Sequence, residues 1–288
     1  MTGTTEGNRG AVVITGASTG IGRTTALHLD GLGFRVFAGV RKAADGEALA
    51  RDGSGRLTPI SIDVTDSASI EAAAKEVAGA VGDAGIAGLV NNAGIVVSGP
   101  LEFVPLEELR HQMEVNFFGL VAVTQAFLPL VRKAKGRIVN MSSIGGKVST
   151  PFLAPYAASK HAVEGLSDSL RRELRSAGMF VAVVEPGAVA TPIWDKGTAA
   201  AEKQRESLPA EANALYGAAM GKLQAVAGKM EKSAIPPEEV ARCVTHALTA
   251  ARPKTRYLVG TEAKVQSALA TVLSDRMMDG FLARFLGI

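Results

Sequence analysis

Tyr156 and Lys160 stand four residues apart, and Ser143 lies thirteen positions before the tyrosine. On a helix, an i, i+4 pair projects from one face, one turn apart. A phenol with an ordinary pKa of about 10 is a poor base near neutrality. An ammonium within a few Å favours the phenolate and brings that pKa toward the working range. A tyrosine tuned in this way passes a proton to or from an alcohol or carbonyl oxygen. The Ser143 hydroxyl is suited to hold the same oxygen by a hydrogen bond. Taken alone, Tyr-x-x-x-Lys also describes an exposed pair on any helix, so the elements around it decide.

The first of these elements is at the N-terminal end. Ala11–Ile14 is a short β-branched run that reads as a buried strand. Gly16, Gly20 and Gly22 follow in the spacing Gly-x-x-x-Gly-x-Gly, with Ser18, Thr19 and Ile21 between them, and a helical stretch runs on to Leu32. Strand, glycine turn and helix form the context in which a backbone approaches a pyrophosphate, met by free N–H groups and the positive end of the helix. A second strand ends at Val40-Arg41-Lys42. In a dinucleotide fold this corner faces the adenosine ribose, where an acid would accept from a 2′-hydroxyl and an arginine would pair with a 2′-phosphate. No acid stands at this corner; Asp45 comes later, in what reads as a polar loop.

A third strand, Leu57 to Ile62, delivers Asp63 and Val64, a carboxylate and a backbone amide placed for the adenine edge. Asp66 or Ser67 caps the next helix, which is expected to run to about Val81. The fourth strand, Ala87 to Val90, ends in Asn91-Asn92-Ala93-Gly94, small residues that suit a ligand passing close to the backbone. Asn91 fits a sheet-locking role, by bonding to neighbouring main chain, as well as a cofactor contact. Leu106 to Lys135 reads as one long helix. Its Asn116, among Val115, Phe117 and Phe118, needs a partner across a bend or a water. Arg137 to Met141 is a fifth strand that delivers Ser142 and Ser143. Pro155 opens the helix of Tyr156 and Lys160, and Met179 to Val184 is a sixth strand leading into Glu185–Thr191. Arg256 to Val259 is the seventh.

Composition narrows the class. Of 288 residues, 47 % are apolar and 20 % charged, an ordinary globular balance with enough material for a large core. The net charge is +3 and the basic residues are dispersed, so nucleic acid is not indicated. Cys243 is the single cysteine, which excludes an internal disulfide and fits a reducing, cytoplasmic setting. Met1 to Asn8 lacks the apolar core of a signal peptide and reads as a loose tail. No stretch approaches 18 uninterrupted apolar residues, so no spanning helix is expected. No metal-ligating cluster is expected.

In this order the motifs resemble the short-chain dehydrogenase/reductase family, over about Gly10 to Gly260. Thr15-Gly16-x-x-x-Gly20-Ile21-Gly22 is similar to the family's cofactor loop and Asn91-Asn92-Ala93-Gly94 to its fourth-strand motif. Asn116, Ser143, Tyr156 and Lys160 match its catalytic tetrad, and Pro186, Gly187, Val189 and Thr191 the segment at the nicotinamide carboxamide. The resemblance implies an α/β fold: a single Rossmann-type, doubly wound parallel sheet of about seven strands with helices on both faces. It implies Tyr156 as general acid/base and Ser143 as the group that polarises the reacting oxygen. Lys160 would lower the tyrosine pKa and hold the nicotinamide ribose, and Asn116 would anchor a water that links Lys160 to solvent. NADP(H) is the expected cofactor on account of Arg41, helped by Lys42 or Ser18, with NAD(H) as the alternative. A dinucleotide-binding regulator without turnover has no need of the Tyr–Lys pair.

Residues 1–9 are expected to form the tail, 10–260 the catalytic unit and 261–288 a helical extension, with a substrate lid at about 193–233. The lid carries Trp194, Leu208, Leu215, Tyr216, Met220 and Leu223; Phe152, Leu153, Val96 and Val97 are expected on the same cleft, and Lys147 is the one cation near the catalytic serine. A lipophilic alcohol or ketone is therefore the expected small-molecule substrate. In the extension, Val265, Leu269, Val272, Leu273, Met277, Phe281, Phe285 and Leu286 recur at helical spacing. This face packs on its own domain, on a partner subunit or on a membrane surface. Similar tails, and the second-strand sequence Val36-Phe-Ala-Gly-Val-Arg41, occur in the steroid- and retinol-dehydrogenase-like branch. A homo-oligomer, dimer or tetramer, is expected.

Overall fold

The computed structural model describes residues 9–192 and 209–286. Seven parallel strands form one sheet: β1 (Ala11–Ile14), β2 (Arg35–Val40), β3 (Leu57–Ser61), β4 (Gly88–Asn91), β5 (Arg137–Met141), β6 (Phe180–Pro186) and β7 (Arg256–Val259). Their spatial order is β3-β2-β1-β4-β5-β6-β7. The helices between them are α1 (Gly20–Gly31), α2 (Ala43–Asp52), α3 (Ser67–Val81), α4 (Leu106–Met113), α5 (Gly119–Lys133), α6 (Ala154–Leu174), α7 (Ala210–Lys232) and α8 (Pro237–Thr249). Two more, α9 (Thr261–Val272) and α10 (Asp275–Leu286), follow β7.

Because side chains alternate along a strand, a sheet covered on both faces builds two cores. Val12 and Ile14 of β1 enter one, with Ala26 and Leu29 of α1 and Val240, Val244 and Leu248 of α8. Ala11 and Val13 enter the other, with Ile70 and Val77 of α3 and Val123, Phe127 and Val131 of α5. The strand order reverses between β1 and β4. That is the switch point where a doubly wound sheet opens a crevice at the carboxyl ends of its strands.

The seven strands fall where the sequence places them, and Asp66 caps α3 by accepting from the Ala68 N–H at 3.0 Å. Two expectations are corrected. Asp45 is not in a loop but in the first turn of α2, a polar helix that buries only Gly46 and Leu49. The long helix from Leu106 to Lys133 is interrupted at Glu114–Phe118 by a π-helical turn with Asn116 at its centre. Such turns occur often at functional sites. Among the described residues, this helix alone is long and apolar enough to cross a membrane. Here Val123, Phe127, Leu130 and Val131 bury its apolar face against the sheet.

Candidate active site

A cavity of about 1300 Å³ runs along the carboxyl ends of the strands. Its wall contains Gly16, Ser18, Thr19, Gly20, Ile21, Gly22, Arg41, Asp63, Val64, Asn92, Ala93, Gly94, Ser143, Tyr156, Lys160, Pro186, Gly187, Val189 and Thr191. Of the residues expected at the cofactor, all but Lys42 thus line one continuous cleft. Asn116 alone of the tetrad stands behind the wall.

The glycine loop is held by its neighbours. Thr15 Oγ1 accepts from the N–H groups of Asn92 and Ala93 at 3.0 and 3.1 Å. Asn92 Nδ2 donates to the carbonyls of Thr15 and Gly16 at 3.0 and 3.1 Å. Asn92 therefore ties the β1 and β4 loops together from behind. Gly16 has φ +65°, and a Cβ there would stand 2.8 Å from Ala93 Cα, so a left-handed turn in close contact demands glycine. Asn91 proves structural: its Nδ2 donates to Thr124 Oγ1 and Asn140 Oδ1, both at 2.9 Å, and so links side chains rather than main chain.

At the adenosine end, Arg41 is exposed at the corner of β2. Asp63 Oδ1 accepts from Thr65 N–H at 2.9 Å and Thr65 Oγ1 at 2.8 Å. The Thr65 amide above all, with a contribution from Arg41, holds this carboxyl below its ordinary value.

The reactive end is built by α6 and the strand ends. Ser143 Oγ accepts from Gly145 N–H at 3.1 Å and reaches the Pro186 carbonyl at 3.5 Å. Burial pushes the Tyr156 phenol up from its ordinary 10, and the hydrogen bond with Ser143 pulls it back only in part. Lys160 is buried, its Nζ 5.7 Å from the Tyr156 ring centre, and it donates to the Met141 carbonyl at 2.9 Å. Burial lowers the Lys160 ammonium to about 8, against an opposing pull from Glu164 one turn along α6. Burial, not the Lys160 cation, dominates the shift of the phenol in this geometry. A raised phenol stays protonated at neutral pH.

Asn116 Oδ1 accepts from Ile95 N–H at 2.8 Å, and its Nδ2 donates to Ile95 C=O at 3.0 Å and Ser159 Oγ at 3.1 Å. Both amide hydrogens are thereby engaged by protein, so the Asn116 side chain has no hydrogen left to donate to a water. One turn earlier, fully buried Gln112 accepts from Val97 N–H at 2.6 Å and donates to Ile95 C=O at 2.8 Å. Sequence reasoning misses this clamp on the loop after β4, although Gln112 and Asn116 stand at i and i+4.

Other cleft expectations divide. Met220, Leu223, Phe152, Leu153 and Val96 line the cavity. Leu215 is exposed. Tyr216 donates to Glu102 at 2.8 Å and meets Phe103 and Phe152 edge-on, outside the cavity wall. Val97 turns its amide to Gln112. Trp194, Leu208 and the Met1–Asn8 tail lie outside the described residues, as do the side chains of Phe285 and Leu286. The extension supplies wall residues not foreseen for the cleft: Glu262, Gln266, Val265 and Leu269 of α9, and Met278, Phe281 and Leu282 of α10. Val272 and Met277 face solvent.

Lys147 does not reach the cleft either. It pairs with Glu164 at 3.2 Å and Glu185 at 3.6 Å, behind Pro186. Arg256 completes the cluster, at 3.1 Å from Glu164, 3.0 Å from Asp168 and 3.2 Å from Glu185. Burial first, then the charge of Glu164, pushes the Glu185 carboxyl from 4.5 up to about 7. Between these two values the folded chain holds a proton that the unfolded chain has lost, so stability falls as pH rises through the window. A shift of this size is worth on the order of 1–3 kcal/mol. Thermal melts from about pH 5 to 8 should show Glu185→Gln losing less stability than the parent with rising pH. Parallel declines would remove Glu185 as the source.

A doubly wound parallel sheet, a glycine loop at its switch point and a Ser–Tyr–Lys group on the same cleft define a nicotinamide-dependent oxidoreductase. The chain belongs to the short-chain dehydrogenase family, whose model, described as short chain dehydrogenase, matches residues 10–202. It is 36 % identical over 272 residues to an NADPH-dependent 3-dehydrocapnine reductase of Ornithobacterium rhinotracheale, with 93 % of this chain and 94 % of the relative covered. It is 39 % identical to mouse retinol dehydrogenase 16, covering 93 % of this chain and 87 % of that one. A short chain dehydrogenase from Burkholderia cenocepacia in complex with NADP superposes with a TM-score of 0.71 at 27 % identity, covering 98 % and 99 % of the two chains. Among the described residues no group of three or more His, Cys, Asp or Glu is placed to hold a metal.

Proposed function

We propose that this oxidoreductase interconverts lipophilic ketones and secondary alcohols, preferring NADP(H), with Tyr156 as the proton donor in the reductive direction. The observation that carries the reading is the convergence of Ser143, Tyr156 and Lys160 on a cavity whose far wall is Met220, Leu223, Met230, Leu269 and Phe281. The names of the relatives, for retinol and for 3-dehydrocapnine, point the same way. The glycine cradle and the Asn92 brace fit a dinucleotide, which when bound supplies the hydride that adds to the carbonyl carbon.

The protein's own groups do the rest. Ser143 Oγ holds the carbonyl oxygen in place. As negative charge grows on that oxygen, the buried and protonated Tyr156 hydroxyl donates its proton. Lys160 keeps a cation near the phenol below about pH 8 and so favours the phenolate left behind. Asn116 and Gln112 hold the loop after β4 that borders the reacting groups. Apolar walls at this depth favour bulky substrates, each buried methylene adding about 0.8 kcal/mol.

The deciding measurement is kcat/KM over a series of ketones of increasing apolar size. The value should climb along the series; a flat series, or one led by small charged substrates, rejects the lipophilic reading.

Arg41 supports the cofactor choice, since a guanidinium at the end of β2 pairs with a 2′-phosphate. A charge-assisted hydrogen bond contributes about 1.5–3 kcal/mol, so Arg41→Ala should weaken NADPH about ten- to a hundredfold and NADH far less. Equal losses for the two cofactors, or a parent enzyme that prefers NADH, would overturn this choice.

A further inference from the structure

Among the described residues two carboxylates line the cavity, Asp63 at the adenosine end and Glu262 on the substrate side. Glu262 sits in the first turn of α9. Its neighbour Ala263 is fully buried against the Pro186–Gly187 turn, where a Cβ on Gly187 would stand 3.4 Å from Ala263 Cβ. The Pro186 carbonyl is the group that Ser143 Oγ reaches at 3.5 Å. Glu262 is thus one residue from the contact that α9 makes with the turn carrying this carbonyl. Further along the same helix face come Gln266, Val265 and Leu269, all on the cavity wall, and beyond them Phe281 of α10.

Glu262 Oε1 accepts from Gln266 Nε2 at 2.8 Å. No lysine or arginine pairs with it among the described residues, and Lys229 of α7, on the same cavity, forms no ion pair with it. Partial burial pushes the carboxyl above its ordinary value, against the pull of the Gln266 bond. An acid in a first turn stabilises any helix start. That accounts for its position along the chain but not for its place in the cavity wall, braced by a second polar side chain. A partly desolvated carboxylate without a countercharge gains from a cationic ligand.

We propose that Glu262, oriented by Gln266, is a specificity residue that receives an ammonium group carried beside the reactive carbon of an amphiphilic substrate, whose apolar chain lies along Val265, Leu269 and α10. This inference rests on the ketone-reductase reading. The test uses three long-chain ketones matched in length that differ on the carbon next to the carbonyl: one bears an ammonium, one a methyl and one a carboxylate. The parent enzyme should prefer the ammonium over the methyl ketone by about ten- to a hundredfold in kcat/KM. Glu262→Gln should bring that ratio to near unity, and Glu262→Asp should retain part of it. The variants are read by the ratio, so a general loss of activity does not mimic the effect.

If the parent reduces the methyl ketone but shows no ammonium preference, or if Glu262→Gln leaves the ratio unchanged, the inference falls and the reductase reading stands. A preference for the carboxylate ketone overturns it in favour of Lys229. Failure to reduce any ketone of any chain length overturns the reductase reading and this inference with it.

Discussion

Replacing Tyr156 by phenylalanine should lower kcat by about 10²–10⁴-fold, the usual cost of losing a general acid. The substitution keeps the ring, which packs over Gly145, where a Cβ would stand 3.1 Å from Tyr156 Cε1. It removes the one hydroxyl on α6 that is hydrogen-bonded to Ser143 and buried beside Lys160. The glycine loop, Asn92 and Arg41 are untouched, so NADPH affinity should stay within a few-fold of the parent. Burial holds the phenol protonated and leaves the lysine to titrate near 8. The parent should therefore reduce ketones best below about pH 8 and lose rate above it, where the cation near the departing proton is lost. Single-turnover kinetics with saturating NADPH, across that pH range, separates chemistry from binding. A phenylalanine variant with near-parent turnover would show that another group supplies the proton.

Local chemistry makes most of this site legible in the sequence. A glycine spacing after a β-branched run, an asparagine–glycine segment at a strand end and a Tyr-x-x-x-Lys pair are each signals confined to a few neighbours. The fold brings all of them to one cleft because parallel strands expose their carboxyl ends on one edge. What the sequence hides depends on distant contacts or on weak patterns. Helix α2 buries only Gly46 and Leu49, too narrow a stripe to show as a periodicity. The π-helical turn at Asn116 leaves the apolar pattern of Leu106–Lys133 almost unchanged, so one continuous helix is the natural expectation. The roles of Glu262 and Gln266 exist only because the chain after β7 folds back over the cleft. Its apolar face is visible in the sequence, but the surface it covers is not. Leu215 and Tyr216 look like cleft residues by composition, yet α7 turns one to solvent and the other to Glu102. Spacing shows that Tyr156 and Lys160 share a face, not how strongly both are desolvated.

The glycine loop carries the second large effect. Gly22 lies in the first turn of α1, and a Cβ there would stand 2.2 Å from the Gly16 carbonyl oxygen and 2.4 Å from Asn92 Nδ2. Neither neighbour can yield easily. The oxygen belongs to the left-handed turn at Gly16, and the amide bonds to both Thr15 and Gly16. In Gly22→Ala the helix must therefore move away from the loop, or the Asn92 brace must break. Either way the free N–H groups of the first helical turn are carried off the line along which they meet a phosphate. A displacement of about 1 Å can cost on the order of 10²-fold, so NADPH affinity should fall by at least that factor. The catalytic groups on α6 and at the end of β5 are not in contact with Gly22. At NADPH concentrations high enough to saturate the variant, kcat should recover most of its parent value. Titration of NADPH fluorescence gives the affinity, and a melt without cofactor reports whether the sheet has survived. Unchanged affinity in a folded Gly22→Ala protein would mean that this loop does not carry the pyrophosphate.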